Sequence, residues 1–215
     1  MRNGLLISFE GTEGCGKSTQ ISLLAERLTA TGRVVKLVRE PGGTLIGEEI
    51  RHTLKHSSSN HAMTAEAELL LMNASRAQLV REIIRPALAA GDVVLCDRFY
   101  DSTTAYQGFG RGLDLKQVKS VIDFAVGDTR PQLTLLFYVP PEVSRARLAS
   151  RQSTLPFMRD RMEEADNDFF ERVVKGYEAI VRAEPERVKL IDGAGAVETV
   201  KGEIWKLVAP LVAGR

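Results

Sequence analysis

Gly11-Thr12-Glu13-Gly14-Cys15-Gly16-Lys17-Ser18 has the spacing G-x-x-x-x-G-K-[ST], and each residue type in it has work to do in holding a phosphate group. Gly11, Gly14 and Gly16 permit backbone angles closed to other residues and let the chain come close to an anion. Successive backbone N–H groups, through Thr12, Glu13 and Cys15 and on to Thr19 in the following helix, form an anion-binding concavity. Lys17 places positive charge on β- and γ-phosphates, and the Ser18 hydroxyl can ligate Mg²⁺. The loop is therefore expected to hold a polyphosphate with Mg²⁺.

The flanking residues supply the setting that such a loop needs. Leu5 to Phe9 is a short apolar run that suits a buried parallel strand. Ile21, Leu23, Leu24, Ala25 and Leu28 recur at helical spacing, and Gly32 supplies a stop. Strand, glycine loop and helix together put the partial positive charge of a helix N-terminus against phosphate.

Further along, apolar runs at 33–39, 93–96, 133–139 and 188–191 read as strands. Helices are expected at 45–55, from Ala65 to Gly91 with a kink or restart at Pro86, at 114–126, at 142–150, up to about Ala183, and at 196–212. Phe99 to Gly112 reads as a polar stretch with glycines. Strands alternating with helices imply right-handed crossovers, hence an α/β fold with a five-stranded parallel sheet and helices on both faces. No linker, repeat or low-complexity tract divides residues 1–215, so one domain is expected. Ligands of such folds sit beyond the carboxyl ends of the strands. Those ends carry the glycine loop, Arg39-Glu40, Asp97-Arg98 and Asp192-Gly193, so chemistry collects along one sheet edge.

Composition narrows the function classes. The 215 residues are 44% hydrophobic and 27% charged, with a net charge of +1, which gives no bulk electrostatic reason to bind nucleic acid or membrane. No basic stripe with interleaved aromatics is present. No run approaches the ~20 apolar residues of a membrane span, and the opening residues do not read as a signal peptide, so a cytoplasmic protein is expected. Cys15 and Cys96 are the two cysteines, and a disulfide framework is not expected in a reducing compartment. Cys15 reads as a loop residue and Cys96 as a small strand hydrophobe. His52, His56 and His61 share one segment without metal-site spacing.

Asp97, at the end of an apolar strand, is placed like an acid that organises Mg²⁺. Arg98 beside it cannot bind the same cation and suits a second phosphate. An acid for metal next to a guanidinium for an acceptor suggests transfer between two phosphorylated molecules. A GTPase would be expected to carry Asn-Lys-x-Asp, which is absent.

Arg39-Glu40-Pro41-Gly42-Gly43-Thr44, Asp97-Arg98-Phe99, Ser102 to Gly112, Arg130 to Thr134 and Asp160 to Glu163 resemble the bacterial thymidylate kinases, over about residues 4 to 192. The resemblance implies a P-loop kinase fold with a mobile lid at about residues 151–161, ATP as donor, dTMP as acceptor, and a homodimer. It implies that Arg98, with Arg39 nearby, contacts the dTMP phosphate. Arg76 matches the arginine that hydrogen-bonds the thymine edge. Met72 and Ser75 fall in the base site, where Met72 departs from the family's aromatic and offers a thioether–π contact instead. Arg51 flanks the pocket, and Ser102, Thr103 and Gln107 line base and sugar. Tyr106 falls where a tyrosine crowds the sugar 2′ position. Glu13 holds the acidic loop position near the acceptor, and Arg147 falls where an arginine stacks on adenine.

The loop itself carries no arginine between Gly11 and Lys17, yet Arg145, Arg147, Arg151, Arg159 and Arg161 lie within one segment. Phosphoryl transfer gains several orders of magnitude in rate from an arginine on the transferring group. In the family, a lid arginine takes that part when the loop has none, which points to Arg151 first and Arg161 second. The insert Ser153 to Met158 makes this lid longer than usual for the family. Readings from other classes are a P-loop switch or an assembly ATPase; neither has a use for Arg98, Arg76 and Tyr106 together. A kinase acting on another nucleoside monophosphate is the nearest alternative.

Overall fold

Five apolar strands pair in parallel in the order β2-β3-β1-β4-β5. The computed structural model describes residues 4–57, 60–152 and 167–213, with the side chains of 151 and 152 outside the description. β1 (Leu5–Gly11) is buried at every position and lies between β3 (Val93–Asp97) and β4 (Leu133–Tyr138). β2 (Val35–Arg39) and β5 (Val188–Asp192) form the borders and are more exposed. Phe9 and Arg39 both stand opposite Asp97, so β2 and β3 end level with each other and β1 runs two residues further, to Gly11. The chain steps to the β3 side after β1 and later crosses to the β4 side, which opens a crevice above β1 where such sheets bind ligands.

Helices cover both faces, as the alternation requires. α1 (Lys17–Ala30) and α9 (Val197–Ala213) close one side over Ile7, Phe9, Leu95 and Leu135. α3 (Ala65–Leu79), α4 (Arg85–Ala90) and α6 (Leu115–Val126) close the other over Leu6, Val94 and Cys96. α2 (Leu45–Lys55) packs on α3, and Thr44 caps it by accepting the Gly47 N–H. α7 (Pro141–Gln152) follows β4.

The helix expected from Ala65 to Gly91 is interrupted. A wide π-type turn, Val80–Ile84, separates α3 from α4, and Pro86 sits in the first turn of α4. Proline has no N–H to return to the preceding turn, so the chain widens and restarts there. Gly91, at φ 84°, then ends α4.

The expected loop from Phe99 to Gly112 is mostly helical instead. α5 (Tyr100–Thr103) runs into a second π-type turn, Thr104–Gly110. Its glycines are contact points. A Cβ on Gly110 would lie 2.6 Å from the Phe169 ring, and one on Gly176 would lie 3.0 Å from both Ala105 Cα and Phe109 Cβ. The segment is held helical by α8 (Asn167–Ala183) lying almost against its backbone. A Gly176→Val variant is expected to lose about 2–3 kcal/mol from overpacking, read as a fall in calorimetric Tm of roughly 5–10 °C for a chain of this size. An unchanged Tm would mean that α8 does not press on this turn.

A buried polar chain ties α5 to the sheet. Ser8 Oγ lies 2.7 Å from Thr134 Oγ1, which donates to Asp101 Oδ2 at 3.1 Å. Arg187, just before β5, grips both Asp101 oxygens at 2.7 and 2.9 Å. Such a bidentate pair fixes geometry as well as charge.

Candidate active site

The glycine loop leaves β1 and enters α1 with the geometry that its composition demands. Gly11, Gly14 and Gly16 have φ of 128°, 72° and 98°, which L side chains rarely adopt. A Cβ on Gly11 would also run into the Phe137 carbonyl. Lys17 is buried, and its Nζ donates to the Gly11 and Thr12 carbonyls at 3.1 and 2.9 Å, with Cys15 Sγ at 3.5 Å. The ammonium thus lies folded back on its own loop. Ser18 begins the helix in an exposed position.

Arg98 comes to the loop from β3. It is the one non-glycine residue with positive φ, 68°, among the described residues. The turn is held from both sides: Arg98 N–H donates to Phe9 O at 2.9 Å, and Cys96 Sγ donates to Arg98 O at 2.8 Å. The side chain then points at Glu13, with Nη2 2.8 Å from Oε1 and 3.4 Å from the Tyr106 hydroxyl. Nη1 donates to Ser102 Oγ at 3.1 Å and Tyr177 Oη at 3.4 Å. The Arg98 guanidinium, opposed by burial and then aided by Lys17, holds the Glu13 carboxyl well below the usual range. Burial pushes the Tyr106 phenol up to about 12 and the Tyr177 phenol well above its ordinary value, so both stay protonated.

Beneath Arg98 lies a residue outside the loop motif. Glu10 is fully buried, and its carboxyl accepts from Phe99 N–H, Ser102 Oγ and Tyr177 Oη at 2.7, 2.5 and 3.2 Å. Burial and then the neighbouring Asp101 push it up to about 7. Its donors lie 89, 92 and 167 positions away in sequence, so no local pattern could have shown them. Tyr177 was missed for the same reason.

The other expected residues fall around this centre in different ways. Arg39 stands level with Asp97, but its guanidinium turns outward to Glu48 at 2.9 Å and to the Pro41 carbonyl. Arg51 Nη1 also donates to Pro41 O, at 2.9 Å. Arg76 is buried rather than presented. Its Nε and Nη2 meet Glu40 Oε2 at 2.7 and 2.6 Å, Nη1 meets Asn73 Oδ1 at 2.7 Å, and Nη2 reaches Phe99 O at 3.3 Å. Only a second Nη1 hydrogen remains for a base edge. Ser75 Oγ accepts from Gly42 N–H at 3.0 Å, and so shapes the Glu40-Pro41-Gly42 turn. Met72 and Thr103 are buried in the same wall. Gln107 Nε2 donates to buried Glu68 at 2.7 Å, and Arg111 pairs with that carboxylate at 3.0 Å. Glu68 is a second partner that the sequence reading did not include.

α7 backs the loop. Ser144 Oγ donates to Glu13 O at 2.7 Å, and Arg147 Nη1 donates to Gly193 O at 2.9 Å and Gly14 O at 3.4 Å. Arg151 is in the last turn of α7. Its side chain, together with Arg159, Arg161 and the insert 153–158, lies outside the described residues.

The residues present fit Mg²⁺. Asp97 Oδ1 is buried with no hydrogen-bond partner, an arrangement that costs free energy unless something binds there. The exposed Ser18 hydroxyl begins α1 on the same sheet edge. No cluster of three His, Cys, Asp or Glu suited to a metal occurs among the described residues, so the ion would lean on phosphate oxygens, as Mg²⁺ commonly does.

A parallel sheet of this order, with a phosphate loop after β1, an acid at the end of β3 and a guanidinium facing the loop, defines the P-loop kinase fold. The family model described as thymidylate kinase matches residues 9–204. Curated thymidylate kinases from Synechococcus sp. (strain JA-3-3Ab) and Pseudomonas syringae pv. tomato are each 46% identical to this chain, covering 96% and 97% of it and the same shares of themselves. A solved thymidylate kinase from Ehrlichia chaffeensis aligns with TM-score 0.75 and 32% identity, over 96% of this chain and 99% of its own. The chain belongs to the thymidylate kinase family.

Proposed function

We propose that the protein transfers the γ-phosphoryl group of ATP to dTMP, giving ADP and dTDP for dTTP synthesis. One observation carries the reading beyond family membership: Arg98 lies across from the Lys17 loop, 2.8 Å from that loop's own Glu13. An acceptor anion held by Arg98 is thereby brought to the donor cradle. Positioning of this kind converts an encounter into an in-line transfer.

The loop amides of Gly11 to Thr19 and Lys17 hold the donor phosphates, while Arg98 holds the acceptor phosphate, with Arg39 swinging in from Glu48. The acceptor is already an anion at neutral pH and needs no general base. Ser18 and Asp97 would hold Mg²⁺, which offsets charge on the phosphates when bound. Tyr106, Thr103, Gln107, Met72, Ser75, Arg76 and Arg51 form the base and sugar site. Arg147 serves the adenine side, and Arg151, four residues on along α7, the transferring group.

We also take the chain to act as one domain in the cytoplasm, paired as a homodimer. No described helix is long and apolar enough to cross a membrane. Phe124 on α6 is 83% exposed, a large apolar side chain that a second copy would cover. Sedimentation of the purified protein at a single chain mass would rule out the dimer.

An ADP-release assay with dTMP, dUMP, UMP, CMP and AMP as acceptors tests the activity. The highest kcat/KM is expected with dTMP. A preference for another monophosphate, or ATP hydrolysis at the same rate with no acceptor, would overturn the reading.

A further inference from the structure

We propose that Glu10 is a positioning residue for the acceptor phosphate: through the hydroxyls of Ser102 and Tyr177 it sets the Arg98 guanidinium in its working orientation. The inference rests on the reading that Arg98 holds that phosphate.

An ionised carboxylate can only accept hydrogen bonds and a guanidinium can only donate them. Ser102 Oγ lies 2.5 Å from Glu10 Oε2 and 3.1 Å from Arg98 Nη1. Tyr177 Oη lies 3.2 Å from the same oxygen and 3.4 Å from the same nitrogen. Ser102 therefore turns its proton to Glu10 and a lone pair to Arg98, and Tyr177, 3.0 Å from Ser102 Oγ, sends its proton the same way, directly or through Ser102. Two bridges of one polarity leave Nη1 a single comfortable seat, with Nη2 directed at Glu13 and the loop. The second carboxyl oxygen takes the Phe99 N–H at 2.7 Å and so pins the strained turn at Arg98 itself. A buried carboxylate is costly unless its oxygens are fully served, and here three donors converge on it.

Glutamine keeps the shape and the Phe99 bond but presents an amide donor to both hydroxyls. Both hydroxyls then lose the acceptor that fixed their protons, so nothing orders the lone pairs that seat Arg98. Glu10→Gln is expected to lower kcat/KM for dTMP about 10²-fold, the effect of a small misplacement of a reacting group, with KM for ATP unchanged. Glutamine also mimics the protonated carboxyl. Because Glu10 titrates at about 7, the ratio of wild-type to variant kcat/KM should climb as pH rises through that value. The ionisation of dTMP cancels in the ratio. Arg98, Asp101, Cys96 and Tyr177 are the titratable and charged groups that face Glu10, and they act on both proteins except where Glu10 itself ionises.

Tyr177→Phe removes one bridge and serves if Glu10→Gln does not fold; a smaller loss, again confined to dTMP, is expected. Wild-type dTMP kinetics in the folded variant, or a loss shared equally by ATP and dTMP, would overturn the proposal. Arg98→Ala, run beside them, separates the two levels. If it cuts dTMP use while Glu10→Gln leaves it at the wild-type level, only the role of Glu10 fails; if it too leaves dTMP use intact, the acceptor reading fails with it.

Discussion

An Arg98→Ala variant is expected to lose about 10³-fold in kcat/KM for dTMP, the range seen when a preorganised cation is removed from phosphoryl transfer, while its KM for ATP barely moves. The guanidinium makes no bond to the donor loop's backbone or to Lys17; its partners are Glu13, Ser102, Tyr106 and Tyr177. Its loss should fall on the acceptor side alone. It also frees Glu13, whose low pKa owes most to Arg98, so that carboxylate should repel the incoming phosphate and deepen the defect. Arg98→Lys restores the charge but not the planar fork and should recover only part of the rate. The φ of 68° strains arginine and alanine alike through their common Cβ, so the substitution adds no backbone penalty, and a melting curve separates instability from lost chemistry. A variant within tenfold of wild type would remove Arg98 from the mechanism.

Lys17→Met is expected to cut kcat about 10³-fold with little change in Tm. Methionine keeps the unbranched stem in its buried slot. What disappears is the ammonium that bonds to the Gly11 and Thr12 carbonyls. Those bonds hold the lysine in a ready position within the turn from the last residue of β1 to the first of α1, which the chain itself already joins, so the fold loses little. Phosphate oxygens would take the carbonyls' place, and there the full charge acts on the developing transition state. Calorimetric titration with ATP and a single-turnover measurement would separate weaker binding from slower transfer. Turnover near the wild-type rate would show that the loop does not grip the donor.

What could be read from the sequence was what is local. Leu5 to Phe9, the glycine loop and the first helix occupy one continuous stretch, and the loop's angles follow from residue type. Asp97-Arg98 at a strand end was legible because the strand is short and wholly apolar. The stretch from Phe99 to Gly110 was not. Its glycines look like turn residues, yet Gly110 is there because Phe169 and Val173 of α8 come too close for a side chain, and Gly176 of α8 is small for the matching reason, with Ala105 and Phe109 against it. Arg76 illustrates a second limit. Its place in a helix was plain, but its burial against Glu40 depends on a turn 36 residues away. Glu10 illustrates a third: within β1 it reads as one polar residue in an apolar strand, and its donors arrive from two distant elements, the start of α5 and α8.

The fork between Arg187 and Asp101 also constrains how the molecule can change shape. It fastens the start of the outermost strand to the wall that carries Ser102, with Thr134 and Ser8 as rivets through the sheet between them. That half of the crevice is a chassis. The rims carry polar ties that are exposed or end on loop carbonyls: at α2 the Glu48–Arg39 pair and Arg51 on Pro41 O, at α7 Ser144 and Arg147 on the glycine loop and Gly193. Any closure around two substrates is therefore expected to come from the rims folding inward over a stationary floor, with Arg98 and Ser102 staying in place.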